Sequence, residues 1–496
     1  MMEKTFAIPC PPFTLQLSQW DKRMTPLYSK RVLCFPLLNN STEHKENIAH
    51  LLFVALQSTV EELPFLAGSI VPFSKDQPWL RDIRPRGAAY LEIKDLAHEI
   101  NYMALRNTHF SPSLLDTEQL CPFPEPIYVR ESAIDVCRMR ANFVEGGLLL
   151  IVSIIHIVCD GRGISDVLKL FADKLRRAQA GELASHFTGH EGTLKHTYSS
   201  DRAFILSGND FPGVIENHSA WTASPLKFPD GSVRTKTLCT TFHISSDSLR
   251  ALKLAASSSL LLPSAPAAIS TSHRPNSQQT PHFPNQAISI STHDAIAALI
   301  WRSIMLARHG VGVLSAGTIT HLSQAVDCRT RLHLPEPFFG NAIYAIKASL
   351  ALPRLARGTD SVTNASRVPG LQAAARAIRT EIGGATADKF RDLLGFVERT
   401  HTEVLTRPSV LEDLSMGSVL LVSYFGFEMH ELDFGEALGG KMEAFRLPSR
   451  GLIPGMPVVL PRLPDGSCEF VINEQEEVTR LFDKDEVFRR FASRRY

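Results

Sequence analysis

Residues 148–155 read Leu-Leu-Leu-Ile-Val-Ser-Ile-Ile, an apolar run with no alternation between faces. Leucyl and β-branched residues over that length predict a strand covered on both sides. Stripes of helical period flank it. Ile48, Leu51, Leu52, Ala55 and Leu56 share one face of a helix that should stop near Pro64. Ile164, Val167, Leu168, Phe171 and Leu175 form a second stripe, which Gly181 is placed to end. Ser291-Thr292-His293-Asp294 predicts a helix N-terminus, with His293 in solvent and the helix running to about Arg308. Residues 458–462, the turn 463–466 and residues 468–472 predict a hairpin, and a charged amphipathic helix is expected from about Gln475. Strands and helices are mixed throughout, which makes the fold class mixed α/β.

The polar interruptions suggest how the chain is divided. At 496 residues it exceeds one ordinary core, so two domains are expected. Gly, Pro, Asn and Asp gather between 207 and 234, which predicts a crossover linking an N-terminal domain (1–206) to a C-terminal domain (235–496). Residues 256–289 are rich in Ser, Ala, Pro, Gln and Asn without a period, and are expected to form a mobile surface loop.

Charge and cysteine use narrow the function classes. Lys+Arg 52 against Asp+Glu 51 gives a net charge of +1, too little to recruit nucleic acid or anionic lipid. The eight cysteines are scattered with no Cys-x-x-Cys pair, which suits a reducing compartment. No apolar signal core opens the chain and no run approaches a membrane span, so cytoplasmic residence is the expectation.

The chemistry-bearing residues begin where the long apolar run ends. His156 emerges at the mouth of the strand, and Asp160 and Gly161 follow it. Histidine can accept and return a proton near neutral pH, which makes His156 a candidate general base. His186 and His190 lie four apart beside Glu191, but the surrounding Gly, Ser and Thr argue against a helix, so no metal site is expected. The chain contains no Gly-x-Ser-x-Gly elbow, Walker loop or dinucleotide glycine pattern.

Four separated segments then fall into one order: His156-Ile157-Val158-Cys159-Asp160-Gly161, Val326-Asp327-Cys328-Arg329-Thr330-Arg331, Phe339-Gly340-Asn341-Ala342, and Asp433-Phe434-Gly435. With Leu63-Pro64-Phe65-Leu66-Ala67-Gly68, and Asp294-Ala295 followed by Trp301-Arg302 on one predicted helix, the chain resembles the BAHD acyltransferases, in particular the fungal branch that includes trichothecene O-acetyltransferases. It departs from the plant pattern at Glu436 and Ala437, where Trp and Gly are usual.

The resemblance implies two chloramphenicol-acetyltransferase-like domains with a tunnel between them and His156 in the tunnel. It implies acyl-CoA, acetyl-CoA by analogy, as co-substrate, with no tightly bound cofactor. The acceptor would be a hydroxyl of a small secondary metabolite, a terpenoid or alkaloid, and the protein a monomer. Asp160 would support the site by pairing with Arg329 or Arg331, and Gly161 by allowing a tight turn. Ser423 is the oxyanion candidate. Asp433 is carried over as a catalytic-site residue, its part in proton transfer or loop architecture left open. Lys441 and Arg446 are candidates for the CoA phosphates. Two other readings stand beside this one. A condensation-type domain would normally carry a second histidine where this chain has Ile155, and a binding protein of the same fold would not need the intact His156 and Asp160.

Overall fold

Nothing of the predicted His strand reaches solvent: Gly147–Ile155 is buried along its whole length, flanked by antiparallel neighbours Cys137–Val144 and Tyr28–Pro36. The computed structural model describes residues 3–24, 27–72, 81–122, 133–183, 201–225, 237–257, 289–358, 368–400, 404–449 and 452–495. Alternate residues of the strand serve two cores, which is why its sequence does not alternate. Leu148, Leu150, Val152 and Ile154 pack with helices Thr42–Glu62 and Gly161–Gln179. Leu149 and Ile151 pack on the other face against Tyr102, Leu105 and Phe110. The six-stranded sheet around it runs Glu3–Pro9, Ala88–Asp95, Cys137–Val144, Gly147–Ile155, Tyr28–Pro36, Ala444–Arg446, with only Ala88–Asp95 and Cys137–Val144 parallel.

A second sheet has seven strands in the order Ile343–Ala351, Ile319–Asp327, Ser418–Ser423, Val458–Val459, Cys468–Gln475, Thr237–Ile244, Ser493–Arg494. Helix Thr292–Gly310 is nearly all buried and shares its core with Ser246–Ser257 and Pro369–Gly384. Ser291 and Asp294 close its first turn as a reciprocal capping box. His293 is half-buried against Phe425 (ring centroids 6.5 Å), so the solvent position expected for it does not hold. The C-terminal hairpin pairs Val458 with Val471 and Val459 with Phe470. The charged helix after it is two short helices, Glu476–Phe482 and Glu486–Phe491. Asp485 separates them by capping the second and bonding Arg302.

The two halves of the chain are interleaved. Ala444–Arg446 pairs with Val32–Cys34 and so extends the N-terminal sheet from deep in the C-terminal half. Within the expected crossover, Trp221–Pro225 pairs with Val404–Pro408, and His218 is held between Tyr344 and Asp392 at 3.0 Å from each. Residues 207–225 thus pack on C-terminal elements. Residues 226–236, most of the 256–289 segment, and the His186–His190 pair lie outside the described residues.

Candidate active site

The chain leaves the buried strand at Ile155, and helix Gly161–Gln179 begins six residues later. The loop between them exposes backbone carbonyls in an apolar setting, where each needs a donor. Both halves of the molecule supply them. Asn341 Nδ2 donates to the carbonyls of His156 and Ile157, at 3.0 Å each, and Arg202 Nη1 donates to that of Val158 at 2.7 Å. Asn341 is itself fixed by Asp21, whose Oδ1 accepts from its backbone N–H (3.0 Å) and from Nδ2 (2.8 Å).

Asp160 closes the loop as the N-cap of the helix, Oδ1 accepting from Gly163 N–H at 2.9 Å. It is 1% exposed and forms a two-pronged pair with Arg329, Nη2 to Oδ1 at 2.8 Å and Nη1 to Oδ2 at 2.9 Å. Of the two arginines considered, Arg329 is the partner. Arg331 donates instead to the Asp327 and Ile382 carbonyls. Burial works against the Arg329 charge, but Asp160 and then Asp327 outweigh it and hold the guanidinium pKa above its usual range. Arg329 also donates to the Phe338 and Gly340 carbonyls, and Ala342 N–H donates to Asp160 Oδ2. One ion pair therefore ties the His loop to the Phe339–Ala342 turn.

Gly161 has no left-handed backbone, contrary to the tight turn expected of it. A Cβ there would sit 3.4 Å from the Tyr424 and Phe427 rings, which is ordinary contact. The steric demand falls two residues on, at Gly163, where a Cβ would lie 2.2 Å from the Phe339 carbonyl oxygen.

His156 is half-buried. Its Nδ1 is sealed from solvent without a hydrogen bond of regular geometry, as is the Oδ1 of Asn341. Burial lowers the imidazole pKa, with Arg31 acting in the same direction. Asp160, the residue's own carbonyl and the Asn341 side chain favour the cation but do not prevail. The ring is thus held neutral at pH 7, and the oxygens near Nδ1 favour the tautomer that leaves a lone pair on Nε2. A neutral imidazole held on a hydrogen-bonded loop can take a proton from a bound hydroxyl.

The remaining sequence candidates are dispersed. Ser423 ends strand Ser418–Ser423, is half-buried, and accepts from Phe425 N–H at 3.3 Å; the next residue, Tyr424, packs on the Gly161 turn. Asp433 is exposed and its Oδ1 accepts from Gly435 N–H at 2.9 Å. The loop it belongs to docks on Gln179, which donates to the Phe434 carbonyl (2.7 Å) and accepts from Ala437 N–H (2.9 Å). Gln179 is the last residue of the 19-residue helix that starts beside His156. At 1.5 Å per residue that helix puts the two sites about 27 Å apart. A proton-transfer role for Asp433 is therefore removed, and its place is in the loop.

Lys441 pairs with Glu431 at 2.6 Å on the surface. Arg446 is 4% exposed, paired with Glu469 at 2.8 Å and donating to the His109 carbonyl, so its donors are already taken by the protein. It lines a cleft of about 520 Å³ with Arg106, His109, Glu443, Glu469 and Arg495. Among the described residues no group of His, Cys, Asp and Glu could hold a metal ion, and no helix is long and apolar enough to cross a membrane.

The Transferase family model matches residues 5–437 of the chain that carries this clamped loop. The chain belongs to the BAHD transferase family. A Penicillium crustosum protein named enoyl-CoA isomerase/hydratase claC is 45% identical over 496 residues, covering 99% of this chain and 52% of that protein. The chain thus spans about half the length of this relative. The Aspergillus oryzae O-acetyltransferase astG is 24% identical over 467 residues, 88% of this chain and 93% of that protein. The crystal structure of F. graminearum TRI101 complexed with coenzyme A and T-2 mycotoxin matches with TM-score 0.78 at 19% identity, covering 98% of this chain and all of that one. At that identity the likeness shows the fold, mixed α/β in two domains as expected.

Proximity in space adds to this BAHD transferase residues that sequence reasoning left without a role. Asn341 stood in a matching segment, but only the fold shows its hold on His156. Asp21, Arg202 and Arg31 carried no motif signal.

Proposed function

We propose that this chain transfers an acyl group from a CoA thioester to a hydroxyl of a small acceptor, with His156 as general base. The observation that carries the reading is the neutral, largely buried imidazole on a loop that both halves of the molecule hold in place. Nε2 takes the hydroxyl proton as the oxygen attacks the thioester carbonyl. The tetrahedral intermediate then collapses, the C–S bond breaks, and the imidazolium returns its proton to the leaving thiolate. General-base help of this kind contributes about 100- to 10,000-fold in rate. Ser423 is proposed as a donor to the developing oxyanion, worth roughly 3 kcal/mol when well aimed. The O-acetyltransferase name of astG and the coenzyme A bound to TRI101 support CoA as carrier and acetyl as the first donor to try. Acceptor alcohols of the terpenoid or alkaloid kind are the corresponding first panel.

The test is thiol release from acetyl-CoA with that panel, for wild type and His156→Ala. Transfer by the wild type and its loss in the variant, with CoA affinity retained, is the expected result. Crotonyl-CoA hydration is the control arm, because claC is named for enoyl-CoA chemistry. Hydration without transfer would overturn the proposal.

A further inference from the structure

Charge buried without a partner is expensive, and buried arginines in this protein have carboxylates within 4 Å: Arg202 with Asp21, Arg302 with Asp485, Arg308 with Glu474, Arg329 with Asp160, Arg446 with Glu469. Arg31 does not. It lies on strand Tyr28–Pro36 beside the His strand, opposite Val152, and is 3% exposed. Its Nη1 donates to the adjacent Lys30 carbonyl at 3.0 Å, and its Nη2 is buried with no hydrogen-bond partner. Arg81 also has buried donors without a partner, but among the described residues nothing connects it to the His loop.

Arg31 is connected to that loop from two directions. Its guanidinium lies over the Tyr424 ring, 4.6 Å from the centroid, and a Cβ placed on Gly161 would lie 3.4 Å from the same ring. One aromatic ring thus separates the guanidinium from the turn that follows His156. Arg31 is also close enough for its charge to act on the imidazole. Stacking on an aromatic face leaves the planar edge of a guanidinium open to an oxyanion, the geometry in which arginine binds carboxylates with two parallel bonds.

We infer that Arg31 is a specificity residue that binds a carboxylate on one of the two substrates, either the acceptor or a dicarboxylic acyl group on CoA. The inference rests on the acyl-transfer reading for the identity of those substrates, but its own test is a binding preference. A carboxylate there would supply the anion that the fold withholds from Arg31 and hold the reacting groups in one register beside His156.

The full chain carrying His156→Ala is titrated calorimetrically with malonyl-CoA against acetyl-CoA, and with hydroxybenzoates against their methyl esters. The titrations are repeated with Arg31→Met added. Thiol release by the His156-intact forms is followed on the same pairs. The expected result is a preference of about 10- to 100-fold for the acidic member in one of the two pairs, the size of a hydrogen-bonded charge pair, falling to near unity with Arg31→Met. The pair that shows it names the substrate bearing the carboxylate. Arg31→Met should leave the melting temperature unchanged or raised, because an unpaired buried charge is removed. Equal affinities within both pairs, or a variant that melts several degrees lower, would overturn the inference. A preference that binding shows while no thiol is released would sink the acyl-transfer reading and leave Arg31 as an anion site.

Discussion

Replacing Asp160 by alanine removes three things at once: the N-cap of the helix after His156, an acceptor for Ala342 N–H, and the nearest counter-charge of Arg329. Losing one partner of a buried pair costs about 3 to 5 kcal/mol. Arg329 keeps Asp327 at 3.0 Å and two backbone carbonyls, which puts this protein near the lower bound. The cap adds ~1 kcal/mol, for a total of about 4 kcal/mol. Unfolding entropy of roughly 2.1 cal/mol/K per residue over 496 residues is about 1 kcal/mol/K, so the melting temperature should fall by ~4 °C if the chain unfolds as one unit. Differential scanning calorimetry of Asp160→Ala, Arg329→Met and the double variant measures it. The double variant should cost less than the two single changes summed, by ~1.5 kcal/mol or more, because the second change removes the stranded charge. Additive costs, or an Asp160→Ala protein melting within a degree of wild type, would refute the reasoning. Lost turnover at unchanged stability would instead make Asp160 part of the reaction.

Gly163→Ala should destabilise by ~1–3 kcal/mol, since its methyl would meet the Phe339 carbonyl, whereas Gly161→Ala should be nearly silent in the same melt. Asn341→Ala strands the carbonyls of His156 and Ile157; kcat should drop at least tenfold with a smaller change in KM, and an unchanged kcat would remove Asn341 from the positioning of the base. The acid limb of log(kcat/KM) against pH should have its midpoint below the ordinary imidazole value of about 6.5, because burial disfavours the His156 cation, and a midpoint above 7 would contradict the neutral base. His109, His156, His218, His243, His293, His321 and His430 are all held below that value, chiefly by burial. Unfolded chains bind those protons first, so stability should be full above pH 6.5 and fall steadily as pH drops below it, as urea melts between pH 8 and 5 would register. Asp433→Asn should leave the acid limb in place and perturb only the loop on Gln179, read as altered proteolysis there.

Periodicity read the elements well wherever one core imposed the pattern. Gly147–Ile155, Thr42–Glu62, Gly161–Gln179 and Thr292–Gly310 all lie where their apolar positions put them. It failed where tertiary contacts decide. The charged C-terminal helix splits because Asp485 turns to Arg302, and His293 leaves solvent because Phe425 covers it. The site was half legible for the same reason. His156 and Asp160 sit four apart in one loop, so sequence holds both. Asn341 and Asp21 meet across 320 residues of chain, a contact no spacing encodes. The part of Asp433 stayed open in the sequence because motif identity says nothing of distance, which the length of one helix supplies.

The strand Ala444–Arg446 carries a consequence for how the molecule is made. During translation the Tyr28–Pro36 edge leaves the ribosome more than four hundred residues before the segment that pairs with Val32–Cys34. Through that interval a nascent N-terminal half presents an open row of amides to any strand nearby. Fragments ending before residue 444 should accordingly clump or recruit chaperones, while adding the missing stretch in trans as a peptide would quiet them.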